Sequence, residues 1–198
     1  MCGIVGILRN ASRKNEWEHC LNIMAEQLAH RGPDDKGIWF DEKSGIGLGH
    51  RRLSIIDLSP NGHQPMVSGS GRYVISYNGE IYNYLSEKVE LERLGISFRG
   101  RSDTETLLES VEARGFEAAL AKANGMFAIA LWDAKEKALY LARDRMGEKP
   151  LYYGFAGNAF VFASELKAIK AFPGFNNEIN RDVLNLLLRH SCIPAPYS

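Results

Sequence analysis

The period of the hydrophobic positions changes several times along the chain, and each change marks an element. Cys2-Gly3-Ile4-Val5-Gly6-Ile7-Leu8 is a short apolar run at the N-terminus and predicts a buried strand. Residues 10–16 are polar and turn-like. Trp17, Cys20, Leu21, Met24, Ala25 and Leu28 then recur at helical spacing and predict an amphipathic helix, which His30-Arg31-Gly32-Pro33-Asp34 ends. Short strands are expected near residues 37–40 and 46–49, followed by a long loop over about residues 50–70. Residues 73–77 predict a strand running into Asn78-Gly79-Glu80, a turn signal. Helical patterning returns at 82–95 and again at Asp103–Arg114. Residues 126–132 are apolar at nearly every position, which predicts a strand covered on both faces. Segments 138–142, 151–155 and Ala159–Ala163 complete a run of β segments joined by short turns. Without helices between them they should pair antiparallel. The fold class expected is α+β, with sheets packed between helices. Arg181–His190 predicts a further helix, and Ile193-Pro194-Ala195-Pro196 suits a linker or the opening of a second unit.

Composition narrows the function classes. The 198 residues suit one domain, or one plus a fragment. Acidic and basic residues number 24 each, so charge alone predicts capture of neither nucleic acid nor an anionic membrane. No leader pattern or membrane-length apolar run is present, which makes the cytoplasm the expected compartment. Three cysteines, Cys2, Cys20 and Cys192, are odd in number and far apart, so neither a disulfide framework nor a metal site is expected.

Cys2 changes the picture. Initiator methionine is removed when the next side chain is small, and the new N-terminal residue would carry a thiol and an α-amine together. The free thiol titrates near ~8.5 and the amine near ~7.7–8.0, so the amine can serve as a base at cellular pH. Nucleophile and base on one residue are an N-terminal variant of triad chemistry. Position alone fits a small buried hydrophobe better than a nucleophile.

Further motifs follow in order: Arg31-Gly32-Pro33-Asp34, Arg52-Leu53-Ser54-Ile55-Ile56-Asp57, Asn78-Gly79-Glu80-Ile81-Tyr82-Asn83 and Ser102-Asp103-Thr104-Glu105. Arg143-Asp144-Arg145-Met146-Gly147-Glu148-Lys149-Pro150-Leu151-Tyr152-Tyr153 and Ala163-Ser164-Glu165-Leu166-Lys167-Ala168 come later. Together with Cys2-Gly3-Ile4-Val5-Gly6 they resemble the class II glutamine amidotransferase domain. Within that class the chain is most similar to the glutaminase domain of glutamine-dependent asparagine synthetases. The resemblance implies an N-terminal-nucleophile hydrolase fold, a four-layer αββα sandwich with two antiparallel sheets.

It also implies roles. Cys2 would be the nucleophile, and Asn78 and Gly79 the oxyanion hole, although Asn-Gly is also an ordinary hairpin turn. Arg52 would clamp the α-carboxylate of glutamine. It is preferred to Arg51 because it directly precedes Leu-Ser-Ile, although an arginine in a polar loop is commonly just solvated. Glu80 and Asp103 would meet the α-ammonium, while Asp103 also stands where a helix cap belongs. Arg31 and Asp34 would shape the pocket, and His30 and His50 are read as structural.

Residues 2–180 would form the glutaminase domain. Residues 181–198 would be a linker, or the start of an ATP-dependent synthetase domain of the same polypeptide. The pyrophosphate-binding Ser-Gly-Gly-x-Asp-Ser motif of such a domain is absent from these 198 residues, as is a P-loop. No cofactor is therefore expected in this domain, with ATP and Mg2+ expected for a full-length enzyme. A homodimer is compatible with the resemblance. The motifs do not discriminate the ammonia acceptor, which is aspartate or another carboxylate such as a sugar acid. A glutaminase domain of the glucosamine-6-phosphate synthase type and a degenerate interaction module are the alternatives.

Overall fold

The computed structural model describes residues 1–9, 14–194 and 196–197. The predicted polar turn at 10–16 lies partly outside them. The elements in chain order are β1 (Gly3–Leu8), α1 (Lys14–Glu26), β2 (Asp35–Asp41), β3 (Ile46–Arg52), a 3₁₀ turn (Pro60–Gly62), β4 (Met66–Val67), β5 (Tyr73–Ile81) and α2 (Tyr84–Arg93). Then come α3 (Asp103–Arg114), α4 (Phe116–Lys122), β6 (Gly125–Asp133), β7 (Ala138–Arg143), β8 (Tyr152–Ala156), β9 (Ala159–Ala163), α5 (Leu166–Lys170) and α6 (Arg181–His190).

Two antiparallel sheets form, a five-stranded one ordered β2-β3-β1-β9-β8 and a four-stranded one ordered β4-β5-β6-β7. Alternation along each strand builds the layers. On β1, Val5 and Ile7 pack beneath α1 and α5 with Leu21, Met24, Leu28 and Ile169. Ile4, on the other face, enters the core between the sheets with Leu48, Val74, Ala130, Trp132 and Phe162. On β5, Ile75 and Tyr77 pack against α3 through Leu107, Leu108 and Val111. The result is helices, sheet, sheet, helices: the expected four layers.

Four segments depart from the sequence expectation. Asn78-Gly79-Glu80 is not a turn; β5 runs unbroken to Ile81 and pairs residue for residue with β6, Gly79 opposite Phe127. A long-range partner overrides the local turn preference. The loop expected over 50–70 is shorter, because β3 extends to Arg52 opposite Asp35 and the segment includes a capped 3₁₀ turn and β4. Two short helices, α4 and α5, went unpredicted, since seven and five residues hold too few turns for periodicity to register.

Polar bonds tie the two sheets together between the middles of β3 and β5. Ser76 Oγ donates to Gly49 O at 3.0 Å and His50 Nε2 donates to Tyr77 O at 2.9 Å. The imidazole is 1% exposed and its Nδ1 has no partner, so protonation would bury an unpaired N–H. Burial pulls the His50 pKa from 6.5 down to about 4. Between those values the unfolded chain binds a proton that the folded chain refuses. Stability is therefore fully present above pH 6.5 and falls as the pH drops towards 4, by about 3 kcal/mol in all. Urea unfolding across this range should show that loss in the wild type. In His50→Gln, whose amide can still donate to Tyr77 O, the loss should be smaller by about that amount. Parallel stability curves for the two proteins would refute the assignment.

Candidate active site

Strand alternation also brings the site together. Cys2 immediately precedes β1 and shares the parity of Ile4, so its side chain is directed into the mouth of the space between the sheets. Asn78 shares the parity of Val74 and reaches the same mouth from the other sheet. Both line a cavity of about 290 Å³ together with Arg52, Gly79, Glu80 and Asp103. That volume, near the small end of ligand pockets, suits one small metabolite.

The register pairs Gly3 with Arg51, which places Cys2 beside Arg52 and Leu53. Cys2 Sγ accepts from Leu53 N at 3.4 Å and contacts Leu53 O at 3.7 Å. Burial pushes the thiol up from its ordinary value. The Leu53 N–H and the positive charges of the N-terminus and Arg52 pull the other way, and Asp103 pushes up again. Arg31 Nε donates to Cys2 O at 2.9 Å, and Arg31 Nη1 meets Glu165 Oε1 at 2.9 Å. Burial would raise the Glu165 carboxyl, but Arg31, His30 and Lys167 hold it at about 2.

Asn78 is 1% exposed, and its Nδ2 is a buried donor without a partner. Such a group is costly in a folded protein and implies an acceptor supplied from outside. Ladder alternation turns the Gly79 N–H to the same edge as those of Tyr77 and Ile81. Those two are taken by Gln64 Oε1 at 2.7 Å and Asp103 Oδ2 at 3.0 Å. The Gly79 N–H between them is left for the cavity. A Cβ at Gly79 would come within 2.4 Å of Met126 O and 2.8 Å of Phe127 Cα, so no other residue fits this strand crossing.

The choice between Arg51 and Arg52 is decided by parity. Arg51 points to the outer face, where it bonds Ala25 O and Glu26 of α1. Arg52 points inward, 8% exposed, and its guanidinium bonds only main-chain carbonyls, those of Ser59 (3.2 Å) and Asp57. Among the described residues no carboxylate pairs with it. Gly62 makes room, since a Cβ there would lie 1.9 Å from Arg52 Nη2.

Asp103 is the first residue of α3, but the cap is Ser102, whose Oγ accepts from Glu105 N at 3.1 Å. The Asp103 carboxylate accepts instead from Tyr77 Oη at 2.7 Å, Ile81 N at 3.0 Å and Thr104 N at 2.9 Å. Burial raises its pKa while these three donors oppose the shift. Glu80 is exposed at the cavity rim. Arg31 and Asp34 are not in the cavity wall. Asp34 Oδ2 accepts from Ser54 N at 2.8 Å, so the two brace Cys2 and the Leu53–Ser54 backbone from behind. His30 is on the surface beside Glu165.

Several wall residues escaped the sequence analysis. Gln64 bridges Tyr77 N and Thr104, Leu53 supplies an N–H to sulfur, and Met126 and Lys149 complete the lining. Lys149 stood within a quoted motif, but nothing local distinguishes it from a solvated lysine. Among the described residues no cluster of His, Cys, Asp and Glu could hold a metal ion, and no helix is long and apolar enough to cross a membrane.

An αββα sandwich of two antiparallel sheets, with a cysteine just before a central strand and a buried amide donor facing the same cavity, has the architecture of the N-terminal-nucleophile hydrolase fold. The fold agrees with a solved structure titled as the allosteric regulatory enzyme of purine biosynthesis: TM-score 0.72, 24% identity, covering 86% of this chain and 43% of that one. The chain belongs to the family described as the glutamine amidotransferase domain, which matches residues 1–198. It is 40% identical over 216 residues to putative asparagine synthetase (glutamine-hydrolyzing) 2 of Methanocaldococcus jannaschii, covering 100% of this chain and 41% of the relative. It is 39% identical over 198 residues to asparagine synthetase (glutamine-hydrolyzing) 1 of Bacillus subtilis, covering 99% of this chain and 30% of the relative. The chain thus spans well under half the length of these relatives.

Proposed function

We propose that this domain hydrolyses glutamine to glutamate and ammonia through a thioester on Cys2, and supplies the ammonia to an ATP-dependent synthetase domain of a longer polypeptide. The observation carrying the proposal is the partnerless Asn78 Nδ2 in the same small cavity as the Cys2 thiol.

Loss of Met1 frees the Cys2 α-amine, which takes the thiol proton. The sulfur attacks the side-chain carbonyl carbon of glutamine. Asn78 Nδ2 and the Gly79 N–H receive the oxyanion. The protonated amine returns its proton to the departing ammonia, and water then cleaves the thioester. Arg52 binds the α-carboxylate, and Asp103 and Glu80 bind the α-ammonium, which selects a free amino acid over a peptide amide. Arg31 and Asp34 position the nucleophile and the loop that contacts it.

Residues 2–180 form the glutaminase unit and 181–198 lead towards the synthetase. ATP and Mg2+ belong to that second domain, which makes asparagine from aspartate. A different carboxylate acceptor is the second reading. It stands beside the first because the residues lining the cavity would meet glutamine and not the acceptor.

The test is glutamate release from glutamine by protein whose mass shows Met1 removed, with stoichiometric labelling of Cys2 by a glutamine-like electrophile. Processed, folded protein that neither turns over glutamine nor labels refutes the proposal. Arg52→Lys should raise KM for glutamine about 10- to 100-fold with kcat within a few-fold, because a bidentate charge-assisted contact is lost from ground and transition states alike. An unchanged KM would remove Arg52 from the substrate site.

A further inference from the structure

One charged wall residue has no part in the chemistry above. Lys149 is 8% exposed and lines the cavity with Cys2. Its backbone is tightly held: Lys149 N donates to Asp144 Oδ2 at 3.0 Å, and Lys149 O accepts from Arg143 Nε at 2.6 Å. Asp144 also accepts from the N–H groups of Met146, Glu148 and Phe127, so the 144–149 loop is wound about one carboxylate and anchored to β6. Lys149 Nζ contacts Met1 Sδ at 3.9 Å, and Arg31 Nη2 contacts the same sulfur at 3.9 Å. Removal of Met1 would leave both cations facing the space beside the new N-terminus.

The two cations differ. Arg31 is neutralised by Glu165, whereas among the described residues no carboxylate pairs with Lys149. The other charges around Cys2 either face the proposed substrate or are bound within the protein. Arg52 awaits the substrate carboxylate, and Glu80 and Asp103 await its ammonium. Asp57 is bound by Ser59 and the Arg101 N–H, and Tyr77 stays a neutral donor to Asp103. An ammonium with no paired carboxylate, held in the cavity wall, opposes a second positive charge nearby.

Building on the glutaminase proposal, we infer that Lys149 is a positioning residue whose ammonium keeps the freed α-amine of Cys2 in its neutral, proton-accepting form. The covalent steps are unchanged. Lys149 touches neither the substrate nor the reacting atoms, and it acts on the state of the base.

The experiment is the pH profile of kcat/KM for glutamine hydrolysis by processed wild type, Lys149→Met and Lys149→Arg, with electrophile labelling of Cys2 at high pH to verify an intact site. Without the cation the amine holds its proton more tightly. In Lys149→Met the acid limb should therefore move up by about one pH unit, with roughly tenfold lower activity on that limb and a preserved high-pH plateau. Lys149→Arg should retain the wild-type limb. A Lys149→Met limb that coincides with wild type while Cys2 still labels overturns this inference and leaves the glutaminase proposal standing. An equal limb shift in Lys149→Arg likewise overturns it. Failure of the wild type itself to label overturns both.

Discussion

Cys2→Ala is expected to reduce glutamine hydrolysis by about 10⁴-fold or more, to the level of the uncatalysed background. Alanine is small enough for Met1 still to be removed, so the variant keeps the free amine and loses only the sulfur. What remains, the Asn78 and Gly79 donors and the Arg52 clamp, can bind glutamine but has no atom with which to form the thioester. The converse protein, with Cys2 present and Met1 retained, should be comparably inactive. Its Cys2 nitrogen is an amide without a basic lone pair, while burial holds the thiol proton. The two arms separate nucleophile from base. Glutamate release measured alongside intact mass decides them, and wild-type rates in either would sink the mechanism.

Asn78→Ala is expected to lower kcat by about 10²–10³ with little change in KM, because its amide donor is engaged only when negative charge develops on the substrate oxygen. Stability should not fall in parallel. The Nδ2 group is buried without a partner in the free protein, a situation that costs about 1–3 kcal/mol, so its removal offsets much of the packing lost. A large kcat loss with a nearly unchanged unfolding midpoint is thus the signature of a preorganised oxyanion donor. A midpoint that collapses together with the activity would make Asn78 a scaffold residue instead.

Much of this was legible along the chain. The apolar period located β1, α1, β6 and α6, and Ser102-Asp103 correctly announced the start of α3. The ordered motifs named Cys2, Arg52, Asn78, Gly79, Glu80 and Asp103, which line the cavity, and also Arg31 and Asp34, which do not. Local signals misled at Asn78-Gly79-Glu80, whose turn preference yields to nine residues of pairing with β6. They were silent on Lys149 and Gln64, which become wall residues only through loops that approach from distant sequence.

By itself, the sequence determined the alternations and periods that commit segments to strand or helix, and the presence of a thiol that processing would place on the first residue. Those are properties of neighbours a few positions apart, set by backbone geometry and side-chain size. The tertiary structure supplied the reason that Arg52 rather than Arg51 faces the cavity, and it decided that Asp103, one residue past the cap, binds Tyr77 and Ile81. It also decided that a turn-like Asn-Gly is a strand whose Asn78 amide donor is left unmet. Each of these depends on which face of a strand meets which other strand, a long-range register that no short window of residues encodes.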